Sequence, residues 1–568
     1  MPDPYSAKPW LKFYDKHVPP KLEYPQKTYL SYFREAAQSV PDRVAVNYMG
    51  TEITFIELDR LSNKFAYFLK STGLQPGDTV GVHLPNLPAY YIAIMGILKA
   101  GCVLSGVSPL LQPKELKYQL NDSDAKLLVT LDIFFNKAAA ACQNSGVKAV
   151  VVTQIADFLP PVKKLLGKLL KKIPSAALTN IAGKKVVRFM EILSDMPGDA
   201  IEVQTSLKDP MLMQYTGGTT GVPKGAVLTQ KNIADHLMQM QVWLDLKVGD
   251  YFILSAFPLF HLAGLALAMV SMAMGYGQVA IPNPRDSDFI ISAIRKHRPT
   301  GIINVPTIFL ELLKKPKFRS LDFSNVRWFI SGAAPFPAEH LRKFETTVGE
   351  GKLIEVLGMT ETSPVTTALP LYGKKKAGSV GIPLPDTDVK LVNPESGEIV
   401  AVGEPGEFVA RGPQVFTLGY HKKPEETAKT LKDGWIYTGD ICKMDEDGYF
   451  YVVDRLKDMV LVSGFNVFTR QVDEALMEHP DIDIAATIGL PDPNRPGSEI
   501  VASAIVLKPG IEKSAETKER ITQYMREKVA PYKVPRIIEF KDALPTSAVG
   551  KVLKRELRKE MQAEPVIK

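Results

Sequence analysis

Cysteine is scarce. The chain has three in 568 residues, Cys102, Cys142 and Cys442, widely spaced and without histidines at metal-ligand intervals. That excludes a disulfide scaffold and a zinc framework, and reads as reduced thiols of a cytoplasmic protein. A large excess of one charge is also missing. The 69 Lys and Arg against 62 Asp and Glu leave +7, which fits phosphate-bearing ligands or an anionic membrane surface but is too little to argue for nucleic acid. Residues 1–12 lack a basic stretch followed by an apolar one, so no secretory signal is expected. No fixed-period repeat is visible, which excludes a solenoid or propeller. Between 252 and 282 there is no Asp, Glu, Lys or Arg, a run longer than the roughly 20 residues needed to span a bilayer. Pro258, His261, Gly264, Gly275 and Gly277 interrupt it, so it predicts strand, loop, buried helix and turn instead of one lipid-facing helix.

What is present is the composition of a soluble globular protein, 45% hydrophobic and 23% charged, at a length that predicts about three or four packed units. Residues 55–72 and 90–100 have helical period, while 79–84, 125–130, 149–153 and 301–304 are short apolar or β-branched runs. Alternation of this kind predicts parallel α/β architecture. From 391 to 451 the chain turns rich in Gly, Pro and short alternating runs, predicting antiparallel β structure. After Asp454 it predicts a compact α/β unit with helices at 470–478 and 516–529 and strands near 484–489 and 500–507.

Four motifs carry chemistry. In Tyr215-Thr216-Gly217-Gly218-Thr219-Thr220-Gly221-Val222-Pro223-Lys224-Gly225, the glycines let backbone amides turn toward an anion, and three threonine hydroxyls and Lys224 add donors and positive charge. It is a phosphate cradle, though not a Walker loop, because Gly225 follows the lysine where Ser or Thr belongs. Gly358-Met359-Thr360-Glu361-Thr362 follows an apolar run, and a carboxylate at a strand end can hold Mg2+. Trp435-Ile436-Tyr437-Thr438-Gly439-Asp440 ends in an acid able to accept both hydroxyls of a ribose, or in an ordinary turn Asp. Leu544-Pro545-Thr546-Ser547-Ala548-Val549-Gly550-Lys551 places a lysine near the chain end, and its neighbours Lys554, Arg555 and Arg558 read as solvated charges of a basic helix.

In this order the motifs resemble the adenylate-forming superfamily of acyl-CoA synthetases, peptide-synthetase adenylation domains and luciferases. Phe257-Pro258-Leu259-Phe260-His261, Ser331-Gly332-Ala333-Ala334-Pro335 and Asp454-Arg455-Leu456-Lys457-Asp458 with Gly464-Phe465-Asn466-Val467 extend the match over nearly the whole chain. The resemblance implies an α/β fold: a large N-terminal domain of α/β subdomains over 1–454, its last part (391–454) β-rich, a hinge at 455–457 centred on Lys457, and a small mobile α+β lid over 458–568. It implies ATP, Mg2+ and coenzyme A as partners of the reaction. Thr216 to Lys224 would close over the ATP phosphates, Gly332 to Pro335 would line the adenine site, Thr360 would touch the α-phosphate, Glu361 would bind Mg2+, and Asp440 with Arg455 would hold the ribose. Lys551 would serve the first step, and Gly464 would let pantetheine pass. Leu357 stands where relatives carry an aromatic residue against adenine, and Phe468-Thr469 where many carry an aromatic residue and proline.

His261 and the residues after it line the acyl side in relatives, and Ala263, Gly264, Ala266 and Ala268 predict room for an apolar chain. No fixed charge lies there to pair with an amino group or second carboxyl, so a fatty or alicyclic acid is favoured over an amino acid. The insertion 163–172, K-K-L-L-G-K-L-L-K-K, reads either as a solvated helix or as a contact with the inner face of a membrane; similar insertions occur in bacterial long-chain fatty acyl-CoA synthetases. The expected function is a long- or medium-chain fatty acid:CoA ligase. The alternatives are an aromatic or alicyclic acid:CoA ligase, an adenylation enzyme loading a separate carrier protein, and an inactive acyl-nucleotide binding protein, the last opposed by the retention of Glu361, Asp440, Arg455 and Lys551. The oligomeric state, homodimer included, stays open.

Overall fold

The computed structural model describes residues 3–216, 222–249, 251–334, 336, 338–462, 465–495, 498–547 and 550–563. The apolar runs read as strands are strands: Thr79–His83, Leu127–Leu131, Ala149–Thr153 and Gly301–Asn304, each wholly buried. Strands buried on both faces show no alternation, the mark of parallel sheet covered by helices. They divide between two sheets. A seven-stranded sheet runs in the order Lys185–Arg188, Ala149–Thr153, Leu127–Leu131, Thr79–His83, Val103–Gly106, Pro210–Thr216, Lys224–Thr229, parallel until the last pair turns antiparallel. A nine-stranded sheet has a parallel middle in which Phe252–Ser255, Gly301–Asn304, Trp328–Ser331 and Leu353–Gly358 lie side by side. Their carboxyl ends release His261, Gly332 and Glu361 on the same edge, where α/β sheets bind ligands.

Helix Phe55–Ser71 starts at a capping box, with Glu57 N–H donating to Thr54 Oγ1 at 3.3 Å and Thr54 N–H to Glu57 Oε2 at 2.9 Å. Helix Pro88–Lys99 is buried all round, and its one charge, Lys99, is met by Asp59 at 2.6 Å and by Ser62 and Asn63. The charge-free stretch begins as expected with strand Phe252–Ser255, a loop and helix Leu262–Ala273, and after the turn at Gly275 it adds a strand that was not expected, Gly277–Ala280. Among the described residues no helix is long and apolar enough to cross a membrane.

The antiparallel region holds strands Asp388–Val392, Gly406–Arg411, Trp435–Met444 and Phe450–Arg455, beginning slightly before the expected 391. It also holds a helix, Pro424–Thr430, that sequence reasoning did not foresee. Beyond Val460 the core is separate: Val472, Leu476, Ile505, Ile521 and Met525 pack with one another, not with the main core. Helices Thr469–Met477 and Ala515–Lys528 and strands Ile482–Pro491 and Glu499–Leu507 lie close to their expected places.

Two readings need correction. Lys554 is not solvated: it pairs with Asp473 at 2.8 Å and donates to Thr469 Oγ1 at 2.7 Å. Burial opposes its charge, but Asp473 and Asp454 hold the ammonium above its ordinary range, because the lysine heads helix Lys554–Ala563 where that helix faces Thr469–Met477. The insertion helix runs over Pro161–Leu169, shorter than 163–172, and Lys171 beyond it adopts the left-handed φ of +51°. The three cysteines are free and buried, and burial pushes the Cys102 and Cys142 thiols up to about 12, so they are unreactive.

Candidate active site

One cavity of about 890 Å3 takes in residues from the carboxyl edge of the nine-stranded sheet, the antiparallel region and the C-terminal unit. Its two ends differ in chemistry. One gathers Lys224, Glu361, Arg455, Lys457 and Lys551; the other is an arm of almost wholly apolar wall.

The charged end begins with the glycine-rich loop. Thr216 ends one strand and Lys224 begins the next, paired directly across from it. Gly217, Gly218, Thr219, Thr220 and Gly221, as well as Pro335 and Gly464, lie outside the described residues. Lys224 is buried and reaches Glu426 Oε2 at 2.8 Å while lying 4.5 Å over the Tyr420 ring. Tyr420 donates its hydroxyl to Glu361 Oε1 at 2.6 Å, which links the phosphate-loop lysine to the candidate metal carboxylate. Glu361 sits in the short turn Thr360–Thr362; burial raises its carboxyl and the Tyr420 hydroxyl bond only partly offsets this. The turn approaches so closely that a Cβ on Gly358 would lie 1.8 Å from the Pro364 carbonyl oxygen, so only glycine fits. Among the described residues no group of three His, Cys, Asp or Glu could hold a metal. Glu361 is a single carboxylate on the cavity wall, a hard oxygen donor of the kind Mg2+ takes together with phosphate oxygens and water.

Asp440 and Arg455 face each other on paired strands, with Arg455 Nε donating to Asp440 Oδ1 at 2.8 Å. Arg455 lines the cavity; Asp440 is buried behind it. Lys551 arrives on a tight turn in which its N–H donates to Ser547 Oγ at 3.1 Å. Gly550 has φ +74°, and a Cβ there would lie 2.6 Å from Thr307 Oγ1, so glycine is what lets this turn press against helix Pro306–Lys314. Lys551 is exposed on the cavity wall yet crowded by protein around the mouth; that partial loss of water, with Arg455 beside it, pushes its ammonium down to about 8. Lys457 is lowered for the same two reasons.

His261 caps helix Leu262–Ala273, its Nδ1 accepting from Ala263 N–H at 3.3 Å, and burial together with Lys551 pushes it down to about 4, so it is neutral. Thr360, Gly332 and Ala333, the last at φ +66°, reach the wall, while Ala334 does not. Leu357 also stays off it, packed against the core, and Val356 and Met359 stand there instead.

Helix Leu262–Ala273 presents Ala263, Ala266, Leu267, Val270 and Ser271 to the arm, a spacing of three and four. This revises the expectation for Gly264 and Ala268. Gly264 lies against the Pro258 carbonyl, 2.3 Å from where a Cβ would be, and Ala268 faces the core. Helix Gln230–Trp243 adds His236 and Met240, and the nine-stranded sheet adds Ile253, Ile303, Trp328 and Ile330. Sequence reasoning missed Tyr420, Glu426, His236 and Trp328. Glu426 reads as an ordinary solvated acid, one of the pair Glu425-Glu426, and the others as core aromatic or polar residues.

Residues 33–421 match the AMP-binding enzyme family and residues 471–551 the AMP-binding enzyme C-terminal domain. The chain is 39% identical over 564 residues to a long-chain-fatty-acid–CoA ligase of Bacillus subtilis (strain 168), covering 98% of each, and 37% identical to one of Yersinia pestis, covering 97% of this chain and 98% of that one. In three dimensions it is similar to the anthranilate CoA ligase AuaEII in complex with anthranoyl-AMP, with a TM-score of 0.82 at 26% identity over 95% of this chain and 98% of the other. ATP-bound MatB from Rhodopseudomonas palustris gives 0.79 at 25% over 94% and 99%. The chain belongs to the AMP-binding enzymes of the adenylate-forming superfamily.

Proposed function

We propose that this chain is an ATP-dependent fatty acid:CoA ligase that forms an acyl adenylate and then the acyl-CoA thioester. The observation that carries this reading is the single cavity with a cationic end suited to a triphosphate and an apolar arm suited to an alkyl chain. In the first step a carboxylate oxygen attacks the α-phosphorus, the bond to the bridging oxygen breaks, and pyrophosphate leaves. Carboxylate and triphosphate repel each other, so the step needs preorganised positive charge where charge builds up. Lys551 supplies it between carboxylate and α-phosphate, and Thr360 holds an α-phosphate oxygen. Asp440, paired with Arg455, holds the ribose, and Gly332 and Ala333 flank the base. Thr216 and Lys224 meet the outer phosphates, which take over from Glu426 as partner of Lys224. A divalent cation held at Glu361 would supply further positive charge to the phosphates. In the second step the CoA sulfur attacks the acyl carbon and AMP leaves. We place the hinge that exchanges the two steps at Lys457, between the N-terminal domain and the lid. Fatty-acid-dependent exchange of pyrophosphate into ATP tests the first step; none with any fatty acid contradicts the reading.

The Lys551 ammonium sets a pH limit. It carries its charge below about 8 and loses it as pH rises. kcat/KM for ATP, which reports the free enzyme, therefore falls about tenfold per pH unit above that value. The fall in kcat starts at higher pH because bound phosphate favours the charged lysine. A kcat/KM profile flat to pH 10 contradicts the role.

A cytoplasmic enzyme that collects poorly soluble acids gains from a membrane contact, and helix Pro161–Leu169 supplies one. Leu165 is 70% and Leu169 75% exposed, with Lys163, Lys171 and Lys172 exposed beside them. Leucines in the acyl boundary and lysines at lipid phosphates is the arrangement of an interfacial helix. Deleting 163–172 lowers binding to anionic vesicles by about 10^3-fold, its five lysines contributing about 1 kcal/mol each, and spares kcat on soluble acids. Unchanged vesicle binding would show the helix to be merely solvated.

A further inference from the structure

The arm is apolar but not inert. Ser271, fully buried on its wall, has a hydroxyl with no hydrogen-bond partner. Helical serines elsewhere in the chain donate to the carbonyl three residues back, Ser39 to Ala36, Ser62 to Asp59 and Ser71 to Phe68. At Ser271 that carbonyl, Ala268, already accepts from Gln278 Nε2 at 3.3 Å. The hydroxyl is thus left over, able to turn among three staggered wells. Trp328, almost fully buried on the same cavity's wall, likewise has an indole N–H without a partner. His236 is a third polar group of the arm. Its Nδ1 lies 3.2 Å from Gln239 Oε1, and burial keeps the ring neutral, so with Nδ1–H donating there Nε2 is an acceptor.

An unbranched alkyl chain satisfies none of these groups, and buried polar groups in native proteins are nearly always paired. No lysine or arginine lies among the arm's helix and sheet residues, so a second carboxylate would be unpaired there. A neutral oxygen would not. We propose that the arm is built for acyl chains carrying a hydroxyl or oxo substituent, recognised by Ser271 and Trp328 as donors and, for a hydroxyl, His236 as acceptor. This rests on the ligase reading and names the substrate class within it.

The test is kcat/KM of the full-length enzyme, scored by AMP release with CoA. The substrates are decanoic and hexadecanoic acids and their monohydroxy and oxo derivatives, substituted at successive positions. At least one oxygenated acid is expected to exceed its unsubstituted parent. Ser271→Ala is then expected to lower the ratio of that acid to its parent by about tenfold, the worth of one neutral hydrogen bond, and Trp328→Phe to lower the ratio for the oxo acid. Oxygenated acids that all fall below their parents, or ratios unchanged in both variants, overturn the inference and leave the ligase reading standing. Absence of AMP with every acid overturns both.

Discussion

Replacing Lys551 with Ala lowers the rate of acyl-adenylate formation by about 10^2 to 10^3-fold, the usual loss when one preorganised charge is removed from a site where charge develops. The enzyme keeps the ability to convert a supplied acyl adenylate to the thioester, because displacement of AMP by sulfur needs no bridge between carboxylate and α-phosphate. Three features of this lysine support a specific role. It stands on a turn in which Gly550 takes φ +74° against Thr307, it opens onto the cavity beside Arg455, and the crowding of protein around it leaves it at about 8. An ammonium beside a guanidinium favours an anion bound between them. Equal loss of both half-reactions would show that the turn matters for lid structure alone and that Lys551 has no part of its own in the first step.

The second large effect is expected at Glu361. Glu361→Gln keeps the shape and still accepts from the Tyr420 hydroxyl, which lies at 2.6 Å in the parent, but removes the buried carboxylate at the end of strand Leu353–Gly358 and leaves Glu426 in place on Lys224. The Mg2+ concentration giving half-maximal adenylation rises by about tenfold or more, and kcat falls about 10^2-fold, in line with the loss of one hydrogen-bonded charge at a transition state. Titrating the rate against Mg2+ checks this. A lower kcat at unchanged Mg2+ dependence would assign Glu361 to holding Tyr420 and not to the metal.

Much of this was legible from the amino acids. Buried strands such as Ala149–Thr153 show themselves as β-branched runs, and the uncharged stretch after Phe252 betrays its breaks by Pro258 and Gly275. Motifs whose chemistry depends on residue type and order, such as Thr360-Glu361 and Gly550-Lys551, come to the same cavity. What could not be read is set by tertiary contact. Lys554 and Lys551 are alike in sequence, three residues apart in a basic segment, yet one is bound by Asp473 and the other opens onto the cavity. Gly264 and Ala266 are both small, and only the phase of the helix against Pro258 decides which one the arm sees. The Lys224–Glu426 pair joins residues 202 positions apart, with nothing local to announce it.

That one cavity joins a carboxylate on an apolar chain to AMP and then to CoA is tested by the stoichiometry of AMP, pyrophosphate and acyl-CoA formed from ATP, CoA and straight-chain acids of increasing length. One of each product is expected per turnover, with kcat/KM rising about fourfold per added methylene, from about 0.8 kcal/mol of burial each, until the arm is full. Release of ADP in place of AMP, or rates indifferent to chain length, would contradict it.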